Sequence, residues 1–329
     1  MKRTFTIVLA FLALVCAAGC TADSSAKTKA PEAPKYPTQT ISVIVPFNAG
    51  SNTDRQIRFI QPYLEKALGG TIVVINKGGA SGIIGVTEFL TQKPDGYTVL
   101  FSLPTPTVYK PTSGDTEYKT DDLVPVSRIS TAAMFLAVSA DSEFKTGKDV
   151  LEYMKTNPGE FTYANAGNGG IAHLAFASFL VKEGFNAISI PFTGGTADGF
   201  TAVMGGHVKS YVPGEQDLVG RPDVRALINL GSKSMTEGFT EIPTLAELGY
   251  KGYEINNFSG FYFMKGVDAA IIKAFDKAVA AALSNEEFLA AANTAQFSHA
   301  YANAADFSAQ ITSTVTLITP VFASLAASK

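Results

Sequence analysis

The chain has 329 residues, 26 Lys and Arg against 29 Asp and Glu, and a formal charge of −3, with hydrophobic residues at 46% and two cysteines. This mildly acidic balance, without basic runs, argues against a nucleic-acid partner. Its length is enough for about two domains.

The N-terminus is read before any fold. Lys2 and Arg3 precede an apolar run from Phe5 to Ala18, and small residues then lead to Cys20. This is the three-part pattern of a secretory signal over 1–19. Its end, Ala17-Ala18-Gly19-Cys20, resembles a bacterial lipobox, with Ala17 where leucine is usual. Cys20 is therefore expected to be lipidated. Cleavage would leave it as the single cysteine, so an intramolecular disulfide is ruled out and acylation accounts for the thiol. More than one acyl chain makes such an anchor durable. The charge would move from −3 to −5, because Lys2 and Arg3 go and no acid does. Residues 20–38 are rich in Ala, Lys, Pro, Ser and Thr and read as a flexible tether.

From Gln39 onward, short apolar runs alternate with amphipathic ones. Ile41–Pro46 reads as a strand buried on both faces. Asp54–Leu68 follows as a helix with Ile57, Ile60 and Leu64 on one face, perturbed at Pro62. Strands are predicted at Thr71–Ile75 and Tyr97–Phe101, with a helix at Ile83–Gln92 between them. Thr146 with Asp149 caps a helix that ends near Asn157-Pro158. A strand at Phe161–Ala164, a helix at Ile171–Glu183, a strand at Ala187–Pro191 and a helix at Ala197–Met204 repeat the pattern. Helices at Ala269–Leu283 and Phe307–Leu325 complete it. Alternating strand and helix predict an α/β fold with parallel sheets.

One echo organises the chain. Val45-Pro46-Phe47-Asn48-Ala49-Gly50 and Ile190-Pro191-Phe192-Thr193-Gly194-Gly195 share the order aliphatic, Pro, Phe, two residues, Gly. Both end an apolar strand and open a helix, which suggests two lobes facing one ligand. Four glycine-rich turns, at 46–54, 77–83, 165–170 and 193–197, would each aim backbone N–H groups and a positive helix end at one spot. In an open α/β sheet such turns lie at the carboxyl edge, where ligands bind. Their side chains are small neutral donors suited to reversible capture. The lysine of a phosphate loop is missing, and Gly79, Gly82 and Gly85 do not have dinucleotide-binding spacing. His173, His207 and His299 show no metal-ligand spacing, and the Ser81 segment is one residue short of a nucleophile elbow. His173 follows the third turn, where it is read as a packing or capping residue or as a donor to a ligand. No enzyme, cofactor or metal site is expected.

The combined motifs resemble the solute receptors of tripartite tricarboxylate transporters, the Bug family. They are Val45-Pro46-Phe47-x-Ala49-Gly50 with Asp54; Asn76-x-x-Gly79-Ala80-x-Gly82-x-x-Gly85; Pro94-Asp95-Gly96-Tyr97-Thr98; Tyr163-Ala164-x-Ala166-Gly167-x-Gly169 with His173-Leu174; Pro191-Phe192-x-Gly194; and Ile242-Pro243-Thr244-Leu245-Ala246-Glu247-x-Gly249-Tyr250. The resemblance implies a Venus-flytrap fold of two α/β lobes joined by two crossover connections, with lobe 1 over 39–138 plus 260–329 and lobe 2 over 139–259. It implies a small mono- or dicarboxylate held between Phe47, Asn48, Ala49, Gly50, Ser51, Asn52, Thr53 and Asp54 on one lobe and two sets on the other. Those sets are Asn165, Gly167, Asn168, Gly169 and His173, and Thr193, Gly194, Gly195 and Thr196, with Ser102 at the side. Integral membrane permease subunits would be the partners of an exported, lipid-anchored monomer, on the outer face of the cytoplasmic membrane or in the periplasm. A receptor feeding a signalling partner, and a hydrolase-like enzyme, are the alternatives. Three departures from the family pattern stand out: Ser51 where a second glycine is usual, Lys209 where an acid is common, and no tryptophan near Asn257–Gly260. Hinges are expected near Ala137–Asp141 and Asn256–Phe261. A second anionic group on the ligand would be one use for Lys209, and a solvated strand end the other.

Overall fold

The computed structural model describes residues 36–192, 196–234, 236–295 and 297–327. The expected signal, Cys20 and the tether lie outside the described residues, as do Thr193, Gly194 and Gly195.

In chain order the elements are β1 (Ile41–Val45), α1 (Asn52–Leu68), β2 (Ile72–Asn76), α2 (Ile83–Leu90), β3 (Thr98–Ser102), α3 (Lys110–Ser113), β4 (Leu123–Ala133) and β5 (Phe135–Ser139). They continue as α4 (Gly147–Thr156), β6 (Phe161–Asn165), α5 (Ile171–Glu183), β7 (Ala187–Pro191), α6 (Thr196–Met204), β8 (Ser210–Tyr211), α7 (Glu215–Leu218) and β9 (Val224–Asn229). After β10 (Asn256–Met264) come α8 (Ala269–Leu283), α9 (Glu286–Thr294) and α10 (Ala304–Ala327). Pro62 lies inside α1 without ending it.

Two five-stranded sheets form, in the orders β2-β1-β3-β10-β4 and β7-β6-β8-β5-β9. Within each, the strands with crossover helices are parallel, while β10 runs antiparallel to β3 and β4, and β5 antiparallel to β8 and β9. This is the expected architecture of two α/β lobes. The chain changes sheets at Met134, between β4 and β5, and returns at Ile255 ahead of β10. Those points precede the residue 138 and residue 260 boundaries. The stretches expected to carry hinges lie largely within strands: Ala137–Ser139 is laddered to β9, and Asn256–Phe261 to β4.

One apolar cluster packs α1, α8 and α9 on the first sheet through Val43, Ile57, Leu64, Phe275, Val279 and Phe288. Another packs Phe200 and Val203 of α6 on Ala164 and Tyr211 of the second sheet. The largest joins the lobes, with Leu100 and Tyr262 from one and Phe161, Phe176 and Phe179 from the other. Helix α10 contributes to it along its length. It is apolar and long enough by composition to cross a membrane, but Phe307, Ile311, Leu317, Ile318 and Val321 form a stripe buried in this core.

Side-chain amides brace the two ends of the return connection. Asn256 accepts from the Ser232 N–H at 3.0 Å and donates to the Ser232 hydroxyl at 2.9 Å, and Asn229 accepts from the Gly231 N–H at 2.8 Å. A Cβ on Gly231 would come 2.1 Å from Asn256 Oδ1 and 3.2 Å from the Ala133 Cα. Gly231→Ala should therefore cost about 2 kcal/mol in a urea melt, as overpacking typically does. An unchanged midpoint would show that the connections tolerate displacement.

Candidate functional site

The carboxyl ends of β1, β2 and β3, the end of β4 and the start of β10 form one edge of the first sheet. The ends of β6, β7 and β8 form the matching edge of the second. The loop between β1 and α1 belongs to the first edge, and its structure follows from Asp54. This side chain is only 4% exposed and faces back toward the loop. It accepts from the Gly50 N–H at 2.8 Å, from Asn76 Nδ2 at 3.0 Å and from Arg58 Nε at 2.9 Å. Asn76 also donates to the Phe47 carbonyl. Burial pushes the Asp54 pKa up, but hydrogen bonds from Arg58, Gly50 and Asn76, with the Arg58 charge, outweigh it and hold the carboxyl below its usual value. Asp54 is thus committed to shaping the loop. Ser51 is the N-cap of α1, with its hydroxyl accepting from the Asp54 N–H at 3.2 Å. This gives the serine a role at the position where a second glycine was expected. The N–H groups of Asn52 and Thr53, in the first helical turn, have no intrahelical acceptor.

The glycine-rich segment after β2 backs this loop. A Cβ on Gly85 would lie 2.5 Å from the Lys77 carbonyl and 2.7 Å from the Pro46 Cα, so only glycine allows α2 to approach so closely. This explains a glycine pattern that lacks dinucleotide-binding spacing.

Among the described residues of the second lobe, several of the predicted donors are spent internally. Asn165, wholly buried, accepts from the Gly167 N–H at 2.8 Å and donates to the Ser189 hydroxyl at 2.8 Å. The Gly170 N–H goes to the Gly167 carbonyl, and the Gly169 N–H to His173 Nδ1 at 3.3 Å. His173 is 3% exposed, and burial lowers its pKa to about 4, so it is a neutral loop clamp. Asn168 is exposed and accepts from Ser189. Gly169 lies against the Phe322 ring of α10, and Thr196 hydrogen-bonds the Tyr211 hydroxyl. Ser102 is wholly buried and donates to the Leu103 carbonyl. Lys209 Nζ sits 4.8 Å from the centre of the Tyr153 ring on α4.

Between the lobes lies a cavity of about 530 Å³. From the first lobe it takes Asn52, Arg55, Gln56 and Phe59 of α1, Leu103, the end of β4 with Ser130 and Thr131, and Asn257 and Phe258 of β10. Phe297 and Ser298, after α9, complete that wall, with Phe297 stacked on Phe59 at 4.7 Å between ring centres. From the second lobe it takes Gly214, Glu215, Gln216 and Asp217. Of the fifteen predicted contact residues that are described, Asn52 lines this space. Asn48–Ser51 sit on the adjoining loop, while Asn165–Gly169, His173 and Thr196 do not border it. The contribution of 214–217 was missed in the sequence, although Val212-Pro213-Gly214 ahead of an acidic first turn repeats the strand-to-helix pattern of the other loops. Among the described residues, no group of three or more His, Cys, Asp or Glu could hold a metal.

The model of the tripartite tricarboxylate transporter family receptor matches residues 56–325. The chain belongs to this family. Its relatives include the protein BugT of Bordetella pertussis, 30% identical over 292 residues that cover 87% of this chain and 86% of that one. A protein of Cupriavidus necator, described as a UPF0065 protein in the gbd 5′ region, is 31% identical over 75% of this chain and 77% of its own length. Among solved structures, a TctC solute-binding protein from Polaromonas has a TM-score of 0.76 at 27% identity, covering 86% of this chain and 99% of that one. Family membership makes the chain a solute-binding receptor of periplasmic type, and the inter-lobe cavity is where such a fold offers space for a solute.

Proposed function

We propose that this protein captures a small carboxylate between its lobes outside the cytoplasm and delivers it to integral membrane permease subunits. The cavity carries this reading: the start of α1, with the Asn52 and Thr53 amides, stands beside the Arg55 guanidinium at a space of small-molecule size. A helix N-terminus favours an anion, and a guanidinium can grip a carboxylate through two parallel hydrogen bonds. Phe59, Leu103, Met134, Phe258 and Phe297 supply an apolar wall for the ligand's body. In this reading the loop 47–54 sets the position of α1, and a lipid on Cys20 keeps the receptor at the membrane. Bending at Met134 and Ile255 closes the lobes, because a ligand touching both stabilises the closed form.

A thermal-unfolding panel of mono-, di- and tricarboxylates tests it. A true ligand at a hundred times its Kd adds about 2.7 kcal/mol of stability. A panel with no shift for any carboxylate removes the proposal.

A further inference from the structure

The loop between β6 and α5 holds the single Asn-Gly step of the whole sequence, Asn168-Gly169, with Gly167 before it and Gly170 after it. An asparagine followed by glycine is the pair most open to attack by the next residue's nitrogen on the side-chain amide. No Cβ stands in the way, and the backbone turns freely. Gly167 and Gly169 both have positive φ, +122° and +76°, so the loop already uses that freedom. Asn168 is exposed. Its neighbour Asn165 is wholly buried, has both ends of its amide bonded and is followed by alanine.

Two contacts restrain the pair. The Ser189 hydroxyl donates to Asn168 Oδ1 at 3.4 Å, and the Gly169 N–H donates to His173 Nδ1 at 3.3 Å. Both are longer than an ordinary hydrogen bond. His173 itself is fixed, being 3% exposed and stacked on Tyr163. The nitrogen that would attack is thus held by one long bond and the carboxamide by another. Asn168 also stands just ahead of α5. The positive end of that helix favours negative charge on the Gly169 nitrogen and on a carboxylate formed at residue 168.

We propose that Asn168-Gly169 is a site of spontaneous deamidation whose rate is set by the His173 clamp. When the Gly169 N–H leaves His173, solvent base takes its proton and the nitrogen attacks Asn168 Cγ. The new N–C bond closes a five-membered succinimide as the Cγ–Nδ2 bond breaks, and the leaving nitrogen takes up a proton and departs as ammonia. Water then opens the ring at one of its two carbonyls, leaving aspartate or isoaspartate. Isoaspartate carries the main chain through Cγ, one carbon longer, which shifts the Gly169 N–H off His173. Either product puts a carboxylate at the carboxyl edge of the second sheet.

Peptide mapping by mass spectrometry of the full chain, aged for weeks in mildly alkaline buffer, follows the conversion. Enzymatic methylation of isoaspartyl carboxylates counts the isomer. Asn168 should convert ahead of every other asparagine. His173→Ala should speed the conversion roughly fivefold, the weight of one ordinary hydrogen bond, while His173→Gln, which keeps an acceptor, should stay near the parent. Conversion at Asn168 no faster than at the other asparagines of the folded protein overturns the site. Equal rates in the parent and a folded His173→Ala overturn the clamp. If His173→Ala does not fold, the parent in urea supplies the unclamped rate, and a native rate equal to it overturns the clamp likewise.

Discussion

Asp54→Ala should lower the stability of the protein by about 3 kcal/mol and weaken carboxylate binding at least tenfold. The stability cost arises because the Gly50 N–H, the Asn76 amide and Arg58 Nε all lose one acceptor. A buried donor left without a partner costs about 1–3 kcal/mol. The Arg58 share is discounted because that side chain is half exposed and can turn to water. The binding cost arises indirectly. Asp54 and Asn76 together tie the loop ahead of α1 to the end of β2, and without them the first helical turn loses its aim. Asp54→Asn keeps the shape and loses the charge, so it should fall between alanine and the parent. The acid response adds a third readout. The folded carboxyl sits below its ordinary 3.8, so the unfolded chain takes up this proton first. The contribution is complete above that value and is lost as the pH falls through the folded pKa, a loss the alanine variant should not show. Urea melts and calorimetry on the three proteins decide the matter. Full-strength binding by a destabilised Asp54→Ala would separate the loop from the ligand.

The parts of this fold visible in the sequence are those governed by a single periodicity. The continuous apolar run of β1, the 3.6-residue stripe of α1 and the helices α5 and α8 emerged within a few residues of their observed limits. The strands carrying the crossovers did not. β4, for which no strand was predicted, contains Pro125 and Arg128, residue types that interrupt an apolar strand pattern. It is an edge strand, where a proline need not break a ladder, and Arg128 pairs with Gly260 on one side and bridges Ala302 on the other. β10 has two register shifts, at Ser259/Gly260 and Phe261/Tyr262, that scramble its alternation.

The same contrast holds for the site. Residues Phe47–Asp54 could be read as an anion-binding strand-to-helix turn because the local chemistry is in the sequence. Which N–H groups remain available could not be read there. Asn165 and His173 take the amides of Gly167 and Gly169 through side-chain contacts set by folding. The opposite wall was hidden for a different reason. α7 is four residues long and has no periodicity, and its place on the cavity arises only when the fold brings it to the same space as Arg55.

His173 makes the second lobe acid-labile. Its Nδ1 accepts the Gly169 N–H, so the ring is neutral in the fold, and burial lowers its pKa from 6.5 to about 4. An unfolded histidine takes a proton near pH 6.5. Between these values unfolding is accompanied by proton uptake, and the protein should lose stability as the pH falls from 6.5 to about 4. Linkage sets the loss at about 3 kcal/mol, and below the folded value it levels off. This window lies above the Asp54 effect, so the two can be separated in one series of urea melts. His173→Gln retains an acceptor for the Gly169 N–H and cannot titrate. It should start less stable, because the ring that stacks on Tyr163 is gone, but its stability should be flatter across pH 6.5 to 4. Protonation also removes the clamp on Gly169, whose backbone rests against Phe322 at the far end of α10. Acid should therefore speed amide hydrogen exchange in residues 166–170 before the first lobe is affected. A parent and variant with parallel pH profiles would place the acid sensitivity elsewhere.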